Sequence, residues 1–136
     1  MTVEEKIEAG LFAYAAALDL NGDPPLAWPN IAFTPPDGPY VQVVHFPNRN
    51  ARVVVNSDGP HLRQGILQMT VVAPLDGGPS DATALAGAIA EYFPADLDLF
   101  EDGIRIRIQQ APDVLPAEKT DVSWDARVDV RYETFA

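Results

Sequence analysis

The stretch from Trp28 to Phe46, WPNIAFTPPDGPYVQVVHF, constrains this chain more than any other. Proline fixes φ and removes a backbone donor, so Pro29, Pro35, Pro36 and Pro39 each mark where sheet pairing stops. Pro35-Pro36-Asp37-Gly38-Pro39 reads as a turn. Tyr40, Gln42, Val44 and Phe46 then alternate with Val41, Val43 and His45, the period-2 pattern of a strand. Nothing in the stretch pairs a nucleophile with a neighbouring base. It directs folding and leaves an edge, which suits a protein that assembles rather than reacts.

The flanking sequence fills in the rest. Residues 2 to 18 read as a helix, with Thr2 and Glu5 at capping-box spacing and Ile7, Leu11, Tyr14, Ala15 and Leu18 on one stripe. Leu26 to Phe33 is a short extended segment that Pro29 confines to an edge. Pro47 to Arg63 reads as a long polar loop or hairpin around Val53-Val54-Val55. Gly65 to Ala73 is the most apolar strand and is expected at the centre of the sheet. Ser80 is expected to cap a second helix that runs to Phe93, with Ala82, Ala86 and Ala90 allowing close approach to a sheet. Gly103 to Gln109 alternates Ile104, Ile106 and Ile108 with Arg105 and Arg107. After a polar loop over 110–121, Trp124 to Tyr132 is the last strand. Its Asp125, Arg127, Asp129, Arg131 and Glu133 point away from the core, placed to pair with Arg105 and Arg107. The expected product is an α+β fold: two helices packed on one face of a mostly antiparallel sheet of four to five strands, with a long mid-chain loop or hairpin. The length fits one domain spanning 1–136.

Composition excludes several classes of function. The absence of cysteine removes disulfides, thiolate catalysis and Cys-based metal sites. No apolar run reaches the roughly eighteen residues of a membrane span, and Met1 to Lys6 does not read as a secretory signal. A net charge of −11 argues against a nucleic-acid binder, because such affinity comes from neutralising phosphates.

Chemistry-bearing side chains are sparse. His45 alternates with apolar residues and His61 sits beside a turn; a metal would need a third ligand, and Asp58 is the nearby candidate. Asp96, Asp98, Glu101 and Asp102 have Leu and Phe inserted among them and do not follow a calcium-loop pattern, so they read as a solvated loop. Ser57, Ser80 and Ser123 lack a nucleophile-elbow context, and Asp76-Gly77-Gly78 lacks the lysine of a phosphate loop. No catalytic, cofactor or metal residue is therefore assigned. Arg49, Arg52 and Arg63 are the group to weigh as contacts, since arginine pairs bidentately with carboxylates. Trp28 is read either as core or as an interface anchor.

The layout as a whole resembles the tail terminator, or tail-completion, proteins of long-tailed bacteriophages, the group that includes the lambda-type tail-end protein. The resemblance rests on the leading amphipathic helix, Trp28-Pro29-Asn30 followed by Phe33-Thr34-Pro35-Pro36, and Tyr40-Val41-Gln42-Val43. It continues through Arg63-Gln64-Gly65-Ile66-Leu67-Gln68-Met69-Thr70-Val71, a Pro-Gly-rich loop with a helix after it, and Trp124-Asp125-Ala126-Arg127-Val128-Asp129-Val130. It implies small α+β subunits, monomeric when free, that form a hexameric ring on the tail tube. The ring stops tube growth and presents the surface on which the filled head docks. The implied partners are other copies of the chain, the tail tube protein and head–tail connector proteins, with no membrane and no sequence-specific nucleic acid. The implied location is the host cytoplasm during assembly and then the virion tail. On this reading Arg49, Arg52, Arg63 and Trp28 contact a neighbouring subunit or the tube. The alternatives are another connector or minor tail protein of the same fold, and an unrelated small ligand-binding α+β domain.

Overall fold

The computed structural model describes residues 2–20, 22–29, 31–48, 51–52 and 61–136, the side chains of 51 and 52 excepted. Among them, α1 (Val3–Ala16) precedes β1 (Leu26–Ala27), β2 (Tyr40–Pro47), β3 (Ala51–Arg52) and β4 (His61–Pro74). A single 3-10 turn then leads into α2 (Gly78–Tyr92). β5 (Asp98–Glu101), β6 (Ile104–Ile108), β7 (Asp113–Val114), β8 (Glu118–Lys119) and β9 (Ser123–Phe135) follow. The strands join in one sheet of order β1-β2-β4-β9-β6-β5, with β3 beside β4 and with β7 and β8 beside β9. β1 runs parallel to β2, and every other pair is antiparallel.

The spine is β4 against β9, in unbroken register from Leu62 opposite Phe135 to Pro74 opposite Ser123. At about 3.3 Å per residue such strands run for roughly 45 Å, and the twist accumulated over that length curls the sheet. The result is a half-barrel. Period-2 alternation sends Val41 and Val43, Leu67, Met69 and Val71, Ile106 and Ile108, and Ala126, Val128 and Val130 to its inner side. There they meet Ile7, Leu11 and Ala15 of α1 and Ala82, Ala86 and Ile89 of α2 in one buried cluster. α1 lies against β5 and β6, and α2 against β4 and β9. The Thr2 hydroxyl starts α1 by accepting the Glu5 N–H at 3.2 Å. A Cβ at Gly10 would sit 2.7 Å from Ile106 Cδ1 and 3.2 Å from Glu101 Cβ, so glycine lets α1 close on the β5–β6 hairpin.

The expected sheet of four to five strands with two packed helices is corrected: the fold is mostly sheet, 41% strand against 26% helix. Three physical reasons account for this. First, the acidic segment read as a solvated loop contains β5. Asp102 and Gly103, at φ 44° and 86°, supply the two positive-φ positions of a type I′ turn, and that turn pairs Glu101 with Ile104. Second, β1, β3, β7 and β8 are two residues each, too short to show a period. Third, β4 starts at His61 rather than Gly65, and β9 runs on to Phe135. The second helix also starts earlier than expected. Gly77 is its N-cap, no side chain caps it, and Pro79 occupies its first turn, so Ser80 lies inside it. Of the expected loop, residues 49–50 and 53–60 lie outside the described residues, while 51–52 and 61–63 are strand.

Candidate assembly surface

Of the four residues singled out in the sequence, the two with described side chains, Arg63 and Trp28, make separate contacts. Arg63, on β4, donates from Nε to the Ala136 carbonyl oxygen at 3.1 Å and from Nη1 to Glu4 Oε1. Its side chain is 17% exposed, and it ties the first turn of α1 to the last residue of the chain. Trp28 follows β1, half-buried, with its ring 5.1 Å from that of Phe12 on α1. Arg49 and the side chain of Arg52 lie outside the described residues, although the Arg52 backbone pairs with His61.

The two histidines are separated as well. His61 exchanges backbone hydrogen bonds with Ala136, both 3.1 Å. His45 sits between α1 and β9, its Nε2 2.6 Å from the Tyr132 hydroxyl and its Nδ1 3.4 Å from Glu8 Oε1. Burial lowers the His45 pKa, and the hydrogen bond and charge of Glu8 partly oppose that. Burial, with the charges of Glu8 and Glu4 behind it, pushes Tyr132 up to about 12. The order carboxylate, imidazole, hydroxyl is that of a proton relay, but Tyr132 is 1% exposed. Its hydroxyl lies 2.6 Å from where a Cβ of Gly65 would be, so the missing side chain of Gly65 makes room for the phenol and not for a substrate. The trio clamps α1 onto the sheet. Among the described residues, no three acidic or histidine side chains converge to hold a metal.

The outer face of the sheet, away from the helices, has a different character. Alternation along β9, β6 and β5 places Arg105, Arg107, Arg127 and Arg131 there with Asp98, Asp125, Asp129 and Glu133, while the outward positions of β2 and β4 carry no charge. β7 and β8 add Asp113 opposite Asp129 and Glu118 opposite Asp125, so among the described residues that face holds four basic and six acidic side chains. The chain has nine basic and twenty acidic residues, so the remaining five basic and fourteen acidic residues carry −9 of the net −11. The face is knitted by ion pairs: Arg107 Nε to Asp98 Oδ1 at 3.2 Å, Arg105 Nε to the same oxygen at 3.9 Å, and Arg127 Nε to Asp129 Oδ1 at 3.4 Å. Such exposed pairs contribute about 0.2–1 kcal/mol each and are easily exchanged for new partners.

Large apolar side chains lie exposed on the same face. Register places Leu62, Phe135, Arg105 and Phe100 in one transverse row and Phe46 beside Ile66 in another. Phe100 is 74% exposed, Phe135 53% and Phe46 49%. A groove of about 340 Å³ runs past Phe46, Gln64, Ile66, Gln109 and Arg131. Exposed aromatics beside arginine are the side chains that dominate protein–protein contacts. Sequence reasoning did not single these residues out, although Val44 and Phe46 stand on the polar side of an alternating strand and Phe100 stands between acids.

No curated protein sequence matches this chain. A solved structure 23% identical in sequence shares the fold, with a TM-score of 0.73 over 97% of this chain and 92% of the other. The family model described as phage tail terminator protein matches residues 6–132. That family is made of structural proteins of the phage tail, not enzymes. With the match running from the first turn of α1 to Tyr132 near the end of β9, this chain belongs to the phage tail terminator protein family.

Proposed function

We propose that this protein caps the tail tube as a hexameric ring, ends tube polymerisation and forms the surface on which the filled head docks. The observation that supports this reading is the uneven division of charge, with four basic and six acidic residues interspersed on the outer sheet face and a net −9 on the rest of the chain. Strongly acidic copies repel one another, so stable contact favours the surface with the least excess charge, and the outer face, where four of the nine basic residues lie, is nearly balanced. An acidic remainder also lets DNA pass through a ring without binding to it. Contacts between unlike surfaces of identical subunits close into a ring when the rotation between neighbours closes. On this reading the chain acts as one domain, free subunits are monomers, and the ring engages the tube protein below and connector proteins above. Assembly takes place in the host cytoplasm and the ring ends in the virion tail. Arg49, Arg52, Arg63 and Trp28 then serve neighbour or tube contacts, Arg63 and Trp28 by fixing α1.

The test is polymerisation of purified tube protein with and without this protein, followed by electron microscopy and light scattering. The expected result is shorter tubes, each ending in a ring whose mass corresponds to six subunits. Unchanged tube lengths with no ring at the tip overturn the proposal. Binding to connector proteins without any effect on the tube assigns the protein to the head side of the joint instead.

A further inference from the structure

We propose that neighbouring copies meet head to tail, with Phe100 and Arg105 of one copy seated in a groove on α2 of the next. The proposal rests on the ring reading and names its contact. The groove holds about 270 Å³ and is lined by Pro39, Asp81, Ala84, Leu85 and Ala88. Ala84 and Ala88 are exposed and small, so an aromatic ring can lie directly against the helix. No basic residue occurs between Arg63 and Arg105, so α2 and its flanks, with Asp76, Asp81 and Glu91 exposed, are acidic without compensation.

The outer sheet face carries the complement. Phe100 is the most exposed large apolar side chain on any strand among the described residues. Arg105 stands directly opposite it in register, with its side chain 49% exposed. Arg105 is also the looser partner of Asp98, 3.9 Å away while Arg107 holds the same oxygen at 3.2 Å, so it is free to turn to a carboxylate on another copy. Asp81 is the carboxylate on the groove wall. A second copy is favoured as the occupant because a net charge of −11 restricts which surfaces of this chain can approach each other, and an aromatic–arginine row on an acidic helix satisfies that restriction. α2 lies on the inner side of the sheet and Phe100 on the outer side, so the contact joins two unlike patches. That is the heterologous geometry a ring requires.

The first test is a charge exchange. Arg105→Asp should lower ring formation on tubes at least tenfold, and adding Asp81→Arg to the same chain should restore it. Rings of normal yield from Arg105→Asp, or failure of the second change to restore them, overturn the contact. Loss of tube binding by Arg105→Asp with free rings intact assigns the surface to the tube and also overturns it. The second test uses the absence of native cysteine. Phe100→Cys and Ala84→Cys chains, mixed with tube protein and treated with a short bismaleimide, should give cross-linked dimers only in the mixture. Six-subunit rings without those dimers overturn the contact and leave the ring reading standing. Dimers without any ring on wild-type tubes support the contact and overturn the ring.

Discussion

Tyr14 and Tyr92 exchange hydrogen bonds across the ends of the two helices, each hydroxyl donating to the other's backbone carbonyl at 2.7 Å. Both carbonyls belong to last turns, where the regular helical donors run out, and that of Tyr14 also accepts the Ala17 N–H at 3.2 Å. The rings stack at 4.2 Å, and Phe93 packs edge-on against both. The pair thus closes two helix ends at once and fixes α1 relative to α2, although 78 residues separate the two tyrosines.

Removing either hydroxyl takes away one donor while keeping the ring stack, and the Tyr14 carbonyl keeps the Ala17 N–H at 3.2 Å. Tyr14→Phe and Tyr92→Phe should each cost about 1 kcal/mol in urea denaturation. An unchanged midpoint in both variants would show that water replaces the exchange at no cost.

Gly65 faces Tyr132 across the β4–β9 pair. A Cβ there would lie 2.6 Å from both the Phe46 carbonyl oxygen and the Tyr132 hydroxyl. The carbonyl is backbone and cannot swing aside, so Gly65→Ala should cost about 1–3 kcal/mol and displace the Tyr132–His45 hydrogen bond. Denaturation gives the first quantity and the His45 imidazole NMR shifts give the second. A variant matching the parent in both would show that β2 and β4 separate more easily than their register suggests.

The His45–Tyr132 pair should bound stability at both ends of the pH scale. Burial lowers the folded-state pKa of His45 below its ordinary 6.5, so the unfolded chain takes up a proton first. The stability tied to this group is therefore full above pH 6.5 and is lost as pH falls through the folded-state value. Tyr132 is raised from 10.0 to about 12, so its contribution is full below pH 10 and is lost as pH rises towards 12. His45→Gln should flatten the acid side and Tyr132→Phe the alkaline side. Denaturation midpoints across pH check both, and equal slopes in parent and variants would remove these groups from the account.

Arg63→Glu should destabilise the chain as well as alter any contact with partners. It places a carboxylate beside Glu4 and removes one of the two donors to the Ala136 carbonyl, the other being the His61 N–H. Hydrogen bonds to charged groups contribute about 1.5–3 kcal/mol, and partial exposure brings the expected loss to roughly 1–2 kcal/mol. Amide exchange should rise in the first turn of α1. A variant as stable as the parent would return Arg63 to a pure contact role.

Local rules made several elements legible before any contact was known. Thr2 at the start of α1, the alternation along β2, β4, β6 and β9, and the inward aliphatic residues follow from capping and from the period of a strand. The Asp102-Gly103 pair was also readable as a hairpin turn, but the density of acids around it argued for a loop, and β5 was missed with it. A two-residue strand such as β1 or β8 has no period of its own and exists only because a long neighbour offers it hydrogen bonds.

The sequence by itself determined which residues on each long strand point inward, because alternation is a property of one strand. It also determined that twenty acids outnumber nine bases. Only the tertiary structure decided where that imbalance lies. A sheet face of interspersed arginines and acids edged by Phe46, Phe100 and Phe135 arises from the register of β2, β4, β9, β6 and β5, and register belongs to pairs of strands far apart in the chain. The same holds for Arg63. In sequence it is one of three arginines beside a polar segment, and in the fold it is bonded to Glu4 and Ala136, which lie 132 positions apart in the sequence.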